Sequence, residues 1–297
     1  MEENIANCKI QPLKSFSVET IHAALLRLDL LHPVVSGNKW FKLKYYLAEA
    51  RVRGCRQIAS FGGAWSNHIV AVAYAARAMG MGSIGYIRGE EPTHYSETLK
   101  NAVSYGMRLI FLNRDDFKNA SAIIAGSREN DVYWIKEGGY GPLGAEGAAD
   151  ILSSFPTSDY THIICAAGTG TMMAGLIKSA LAHQEIIGIS VLKNHYSLKS
   201  AVEGLLTEEE KRKTYSFEQD HHFGGYAKHP KALLDFMCKL WKDELVPTDI
   251  VYTGKALYAA DQLIKGGQIG PDSRVLIVHS GGLQGNASLA SDSLPFL

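Results

Sequence analysis

The feature that most constrains this chain is the steady alternation of short apolar runs with segments of helical spacing. The runs are Gln57–Phe61, Gly82–Ile87, Arg108–Leu112, Val132–Ile135, His162–Ala166, Ile186–Val191 and Arg274–His279. Most are continuous and rich in isoleucine, valine or leucine, as strands buried on both faces are. Between them, Asn67–Met79, Ser96–Tyr105, Gly144–Ser153 and Met172–His183 carry apolar residues at the helical period. Strand, helix, strand, helix in this order predicts an α/β fold of parallel sheets with crossover helices. A chain of 297 residues accommodates one large domain or two modest ones. No internal repeat or low-complexity tract breaks the pattern.

Charge and cysteine usage exclude several classes of protein. Thirty lysines and arginines balance thirty aspartates and glutamates, so nothing in the totals points to a nucleic-acid partner. Cys8, Cys55, Cys165 and Cys238 are scattered, with neither disulfide nor zinc spacing, and read as reduced thiols suited to a cytoplasm. His68, His221 and His222 suggest no metal site. The start, Met-Glu-Glu-Asn, is too acidic for a secretory signal. No apolar stretch is long enough to span a bilayer.

Four glycine pairs, 62–63, 138–139, 224–225 and 281–282, fall at strand exits or loops. Ligands of open parallel sheets sit at the carboxyl ends of strands, where glycine permits close backbone approach. Three segments carry chemistry. In Ser36–Leu43 a glycine-asparagine turn leads into a helix with Lys39 in its first turn. Positive charge at the helix start depresses an amine's pKa, and a neutral amine is what a Schiff-base lysine must supply. In Phe61–His68 a strand meets a helix that Ser66 or Asn67 can cap, where free amides can grip a carboxylate. In Ala166–Gly175 glycines and threonines open a helix and make a phosphate cradle. The spacing lacks the third glycine of a dinucleotide loop and the lysine of a nucleoside-triphosphate loop, which favours a phosphate monoester.

Together these segments resemble the family of 1-aminocyclopropane-1-carboxylate deaminases and D-cysteine desulfhydrases. The resemblance is carried by Ser-Gly-Asn-Lys-x-x-Lys-Leu at 36–43, Gly-Gly-Ala-Trp-Ser-Asn-His at 62–68, Glu137–Gly144, Gly168–Met172, Val251–Ala256 and His279–Gly282. It implies two open, twisted, mostly parallel sheets flanked by helices, the fold of the tryptophan synthase beta chain. It also implies a large domain of 1–44 and 142–297 with a small domain of 45–141 inserted in it. The family carries extra residues and a strand before the lysine helix, whereas only thirty-eight residues precede Lys39 here.

The cofactor implied is pyridoxal 5'-phosphate, bound as a Schiff base to Lys39. Asn67 would meet its phenolic oxygen. Gly168, Thr169, Gly170, Thr171 and Met172 would hold its phosphate, and Ser280 would face its ring nitrogen. Ser66, Asn67, His68 and Tyr252 would hold a small amino-acid substrate, with Tyr252 and Tyr226 assisting proton transfer. Both lyase and hydrolase chemistry fall within the expectation, and the implied assembly is a homodimer.

Deaminases of the family resemble one another in having glutamate after the C-terminal tyrosine and leucine after the C-terminal histidine. Desulfhydrases carry hydroxyls at both, as Thr253 and Ser280 do here. A neutral hydroxyl supports the ring nitrogen less than a carboxylate does, so D-cysteine is the first expected substrate. It would yield pyruvate, sulfide and ammonia. The alternatives are deamination of 1-aminocyclopropane-1-carboxylate, ammonia loss from a D-amino acid, and a non-catalytic binder of a phosphate ligand. Trp65 is bulkier than the residue usual before the Ser-Asn pair.

Overall fold

Two sheets organise the computed structural model, which describes residues 5–127 and 131–297. The acidic start, Met1–Asn4, lies outside the described residues. The strands are β1 (Ile10–Pro12), β2 (His22–Arg27), β3 (Gln57–Gly63), β4 (Gly82–Arg88), β5 (Met107–Leu112), β6 (Val132–Ile135), β7 (His162–Ala167), β8 (Glu185–Ser190), β9 (Tyr215–Glu218) and β10 (Arg274–His279). The helices are α1 (Asn38–Val52), α2 (Asn67–Ala78), α3 (Glu97–Ser104), α4 (Arg114–Lys118), α5 (Ala120–Gly126), α6 (Pro142–Ser153), α7 (Thr171–Ser179), α8 (Leu198–Glu203), α9 (Lys231–Glu244) and α10 (Thr253–Lys265).

The larger sheet has the order β1-β2-β10-β7-β8-β9, and the smaller β5-β4-β3-β6. Every pairing is parallel except β1 with β2 at one edge. This is the α/β architecture expected of strands buried on both faces. The centre of the larger sheet is apolar throughout, with Ile163, Ile164, Cys165, Val275 and Leu276 fully buried. β1 and β2 occupy the stretch before the lysine helix, so a strand precedes it despite the short amino end. β2 lies alongside β10, with Arg27 opposite His279. The helix expected to reach His183 stops at Ser179. Gln184 turns the chain there, accepting from Leu181 N and donating to Thr157 O and Tyr160 O.

Helix α1 is buried over most of its first turns, through Trp40, Phe41, Lys42 and Leu43. It packs on α6 at a bare backbone surface: a Cβ on Gly147 would stand 2.0 Å from Phe41 O. Gly147→Ala is therefore expected to force α1 and α6 apart and lower stability by about 1–3 kcal/mol. Because α1 carries Lys39, activity should fall with it. A denaturant midpoint unchanged from wild type would show that the packing tolerates the methyl group.

Candidate active site

The carboxyl ends of β2, β10, β7, β3 and β6 converge on one cavity of about 540 Å³. This is where open parallel sheets place ligands. β7 delivers Gly168, Thr169, Gly170 and Met172; β10 delivers Ser280, Gly281 and Gly282; β3 delivers Gly63 to Ser66 and the start of α2. Lys39, Tyr226 and Tyr252 also line it. Three of the four glycine pairs contribute to the wall. The fourth lies behind it, where Gly225 O accepts from buried Lys255 Nζ at 2.5 Å.

Lys39 reaches the cavity because Gly37 allows the chain to turn. Gly37 has φ +60°, and a Cβ there would lie 2.0 Å from Ser280 O. Only glycine combines that left-handed backbone with so close an approach. Lys39 Nζ donates to Asn38 Oδ1 at 2.8 Å and stands 5.8 Å from the centre of the Tyr252 ring. Burial pushes its ammonium down to about 8, against the opposing pull of the Asp249 carboxylate. Above that pH the neutral amine predominates; below it the amine is protonated and not nucleophilic. Capture of added pyridoxal phosphate by apoprotein should accelerate as pH rises through about 8. Stopped-flow absorbance would follow it, and a rate that fell with pH would contradict the assignment.

Lys42, one turn further along α1, was quoted in the sequence motif without a role. Its Nζ lies 3.3 Å from Gly138 O, and no carboxylate among the described residues lies within ion-pair distance. Burial first, then the charge of Lys39, holds it well below its ordinary range. An anion beside it would restore the ammonium.

On the opposite wall, Ser66 caps α2 through Ile69 N, and Asn67 Nδ2 donates to Gly282 O at 3.1 Å. Asn67 Oδ1 is buried without a partner. His68 is also buried, and its tautomer follows from its neighbours. Ser60 Oγ donates to Ile135 O and so accepts from His68 Nε2, at 2.8 Å for each contact. That leaves His68 Nδ1 as a buried, unpartnered acceptor.

Tyr252 packs on the phosphate-type loop, its Cε1 being 3.1 Å from where a Gly168 Cβ would stand. Its ring meets that of Tyr226 edge to face, with the centroids 6.4 Å apart. Burial, reinforced by Tyr226 and Asp249, keeps the Tyr252 phenol protonated well above its ordinary range.

Several expected residues fall elsewhere. Thr171 does not line the cavity; its hydroxyl bonds Thr169 Oγ1 at 2.9 Å. Thr253 is fully buried, with its Oγ1 donating to Asp249 Oδ1 at 2.6 Å. Only Ser280 of the two discriminating hydroxyls faces the cavity. Trp65 sits partly exposed in the lining. His221 pairs with Glu218, and His222 Nδ1 accepts from Gly224 N.

Asp249 was not anticipated. Its buried carboxylate accepts from the amides of Val251, Tyr252 and Thr253 and so fixes the turn that carries Tyr252. An aspartate four residues before a helix-opening threonine was the available signal. Arg88, Glu137 and His195 also line the cavity.

Residues 1–281 match the model of a family described as "Pyridoxal-phosphate dependent enzyme". The chain belongs to this family. Pyridoxal phosphate is accordingly its cofactor, and the protein is an enzyme. A Pyrococcus horikoshii protein provisionally named 1-aminocyclopropane-1-carboxylate deaminase is 28% identical over 87% of this chain and 84% of its own length. The D-cysteine desulfhydrase of Salmonella choleraesuis is 24% identical over 86% of this chain and 85% of its own. The crystal structure of an ACC deaminase homologue superposes with a TM-score of 0.82, at 26% identity, over 94% of this chain and 90% of that one. One expectation is corrected by these matches. Within this pyridoxal-phosphate dependent family, with relatives of the deaminase and desulfhydrase type, the reaction class is lyase, and hydrolase is withdrawn.

The residues present fit the cofactor. The cavity holds a half-buried lysine and the glycine-threonine loop, a buried second lysine without a counter-ion among the described residues, and an orphaned amide oxygen on Asn67. Among the described residues, no helix is long and apolar enough to cross a membrane, and no group of three or more metal-ligating side chains is gathered.

Proposed function

We propose that the enzyme removes ammonia from a small amino acid by α,β-elimination, with D-cysteine as the first substrate to test. The observation that most supports this is that Lys39, Tyr252, Ser280 and the Gly168–Met172 loop share one cavity. When bound, the cofactor supplies an electron sink for the charge left at the α carbon. Lys39 would hold it covalently. The Gly168–Met172 loop, with free amides at the start of α7, would hold its phosphate, and the Lys42 charge would add to that grip. Asn67 would meet its phenolic oxygen, and Ser280 its ring nitrogen.

Ser66 and the first amides of α2 bind the substrate carboxylate, with His68 beside them. The free Lys39 amine would be a base suited to the α proton, since burial brings its pKa down to about 8. Tyr252 and Tyr226 keep their protons and can deliver one to the departing sulfur. Water then completes conversion to pyruvate and ammonia. A hydroxyl at Ser280, rather than a carboxylate, suits a good leaving group. Ring opening of 1-aminocyclopropane-1-carboxylate needs a different first step, because its α carbon bears no hydrogen.

The sheet bounds support a small domain of 45–141 inserted in a large domain of 1–44 and 142–297, closing over substrate to exclude water. We take the working form to be a cytoplasmic homodimer. The test is to supply D-cysteine, 1-aminocyclopropane-1-carboxylate and D-serine separately and measure keto acid and sulfide. Sulfide release from D-cysteine should exceed turnover of the other two. The reverse order would return the choice to deaminase or ammonia-lyase chemistry.

A further inference from the structure

The catalytic cavity does not end at its own wall. A second cavity of about 770 Å³ adjoins it, and Arg88, Glu137, Thr169 and His195 line both. The outer chamber lies against the smaller sheet and the segment that follows it. Its inner surface includes Phe61 and Phe117, both buried. Arg88 stands over the Phe117 ring, 5.6 Å from its centre. Arg114, which opens α4, and Lys136, which follows β6, add two more cations.

Among the described residues, none of Arg88, Arg114 and Lys136 has a carboxylate within ion-pair distance. Lys118, also in this wall, is answered by Asp115 at 3.0 Å. Glu137 is the one acid in the lining, against the four cations Arg88, Arg114, Lys118 and Lys136. The chain as a whole has no net charge, so this concentration of cations is local. D-cysteine is too short to fill both chambers.

We propose that the outer chamber receives a second anionic group of the substrate. The substrate class is then an amino acid whose β-substituent extends past its sulfur or oxygen and ends in a carboxylate or similar anion. This rests on the elimination reading above and narrows it. In such a reaction the α proton is removed, the Cβ–S bond breaks, and the sulfur leaves with the bonding electrons. It takes up a proton to become the free thiol. The remaining three-carbon fragment gains water and loses ammonia to give pyruvate.

S-carboxymethylcysteine and its isostere S-carbamoylmethylcysteine differ only in the charge at the far end. Both handed forms of each, with D-cysteine alongside, would be mixed with the cofactor-loaded enzyme. Binding is read from tryptophan fluorescence before turnover, and kcat/KM from pyruvate and thiol release. The carboxylate should bind roughly tenfold more tightly than the amide, since several partly exposed charge pairs each contribute a little. That preference should shrink with rising ionic strength. It should shrink at least threefold in Arg114→Gln and Lys136→Gln, which line the outer chamber alone. Failure of both isosteres to bind, equal affinity for the two, or a preference surviving both substitutions overturns the proposal. A binding preference without pyruvate release from any amino acid would sink the elimination reading and leave the anion chamber standing. Turnover of D-cysteine with no carboxylate preference would do the opposite.

Discussion

Lys39→Ala should lower kcat/KM by at least about a thousandfold, the scale of losing a positioned proton-transfer group, with loss of the covalent tie added. The variant should still take up pyridoxal phosphate, because the Gly168–Met172 loop and Lys42 are untouched. Borohydride followed by denaturation should then strip the cofactor from the variant and leave it attached to the wild type. Folding should be little affected, since among the described residues the Lys39 side chain makes one hydrogen bond, to Asn38. A variant that kept a borohydride-resistant attachment would move the covalent role to another lysine. Protein that takes up no cofactor in either form would favour a non-catalytic binder of the same fold.

Asp249→Ala carries the second large effect, and it is on stability as well as rate. The carboxylate accepts from Val251 N and Tyr252 N at 2.9 Å, from Thr253 N at 2.8 Å and from Thr253 Oγ1 at 2.6 Å. Alanine leaves these buried donors unanswered. The expected loss is about 3–5 kcal/mol, the range for removing one charged partner from a buried network. Activity should fall further than unfolding alone explains, because the same turn aims Tyr252 into the cavity. Asp249→Asn keeps one acceptor oxygen and should lie between the two. A denaturation midpoint within error of wild type would show that the turn holds without the carboxylate.

The fold was legible where burial leaves a strong imprint on sequence. Strands β3, β4, β6 to β8 and β10 are apolar runs that are largely buried, and these and the half-buried edge strand β5 were each readable within a residue or two at their ends. β2 was not, because His-Ala-Ala-Leu-Leu-Arg suits a helix as well as a strand; its pairing with β10 decides the matter. β9 is an edge strand of half-buried, mostly polar residues with no such imprint.

The site was legible where a backbone demand forces a residue type. Gly37, Gly281 and the Gly168–Gly170 loop are there for close approach, and they lead to Lys39 and the cradle. Lys42 and Asp249 were overlooked for a physical reason. A lysine and an aspartate are ordinarily exposed, and only the packing around them shows that each is buried. Thr253 illustrates the converse. A hydroxyl beside the key tyrosine suggested contact with the ligand, but the backbone turn consumes it. The outer chamber was beyond sequence reading altogether, since Arg88, Arg114 and Lys136 meet only through the fold.

Three lysines lie in or near the cavity, Lys39 half-buried and Lys42 and Lys255 buried. Borohydride reduction of the cofactor-loaded enzyme, followed by proteolysis and mass spectrometry, distinguishes them directly. The expected result is a single pyridoxyl-modified peptide with the added mass on Lys39. Modification confined to Lys42 or Lys255, or a cofactor lost on denaturation after reduction, would contradict the assignment on which the rest is built.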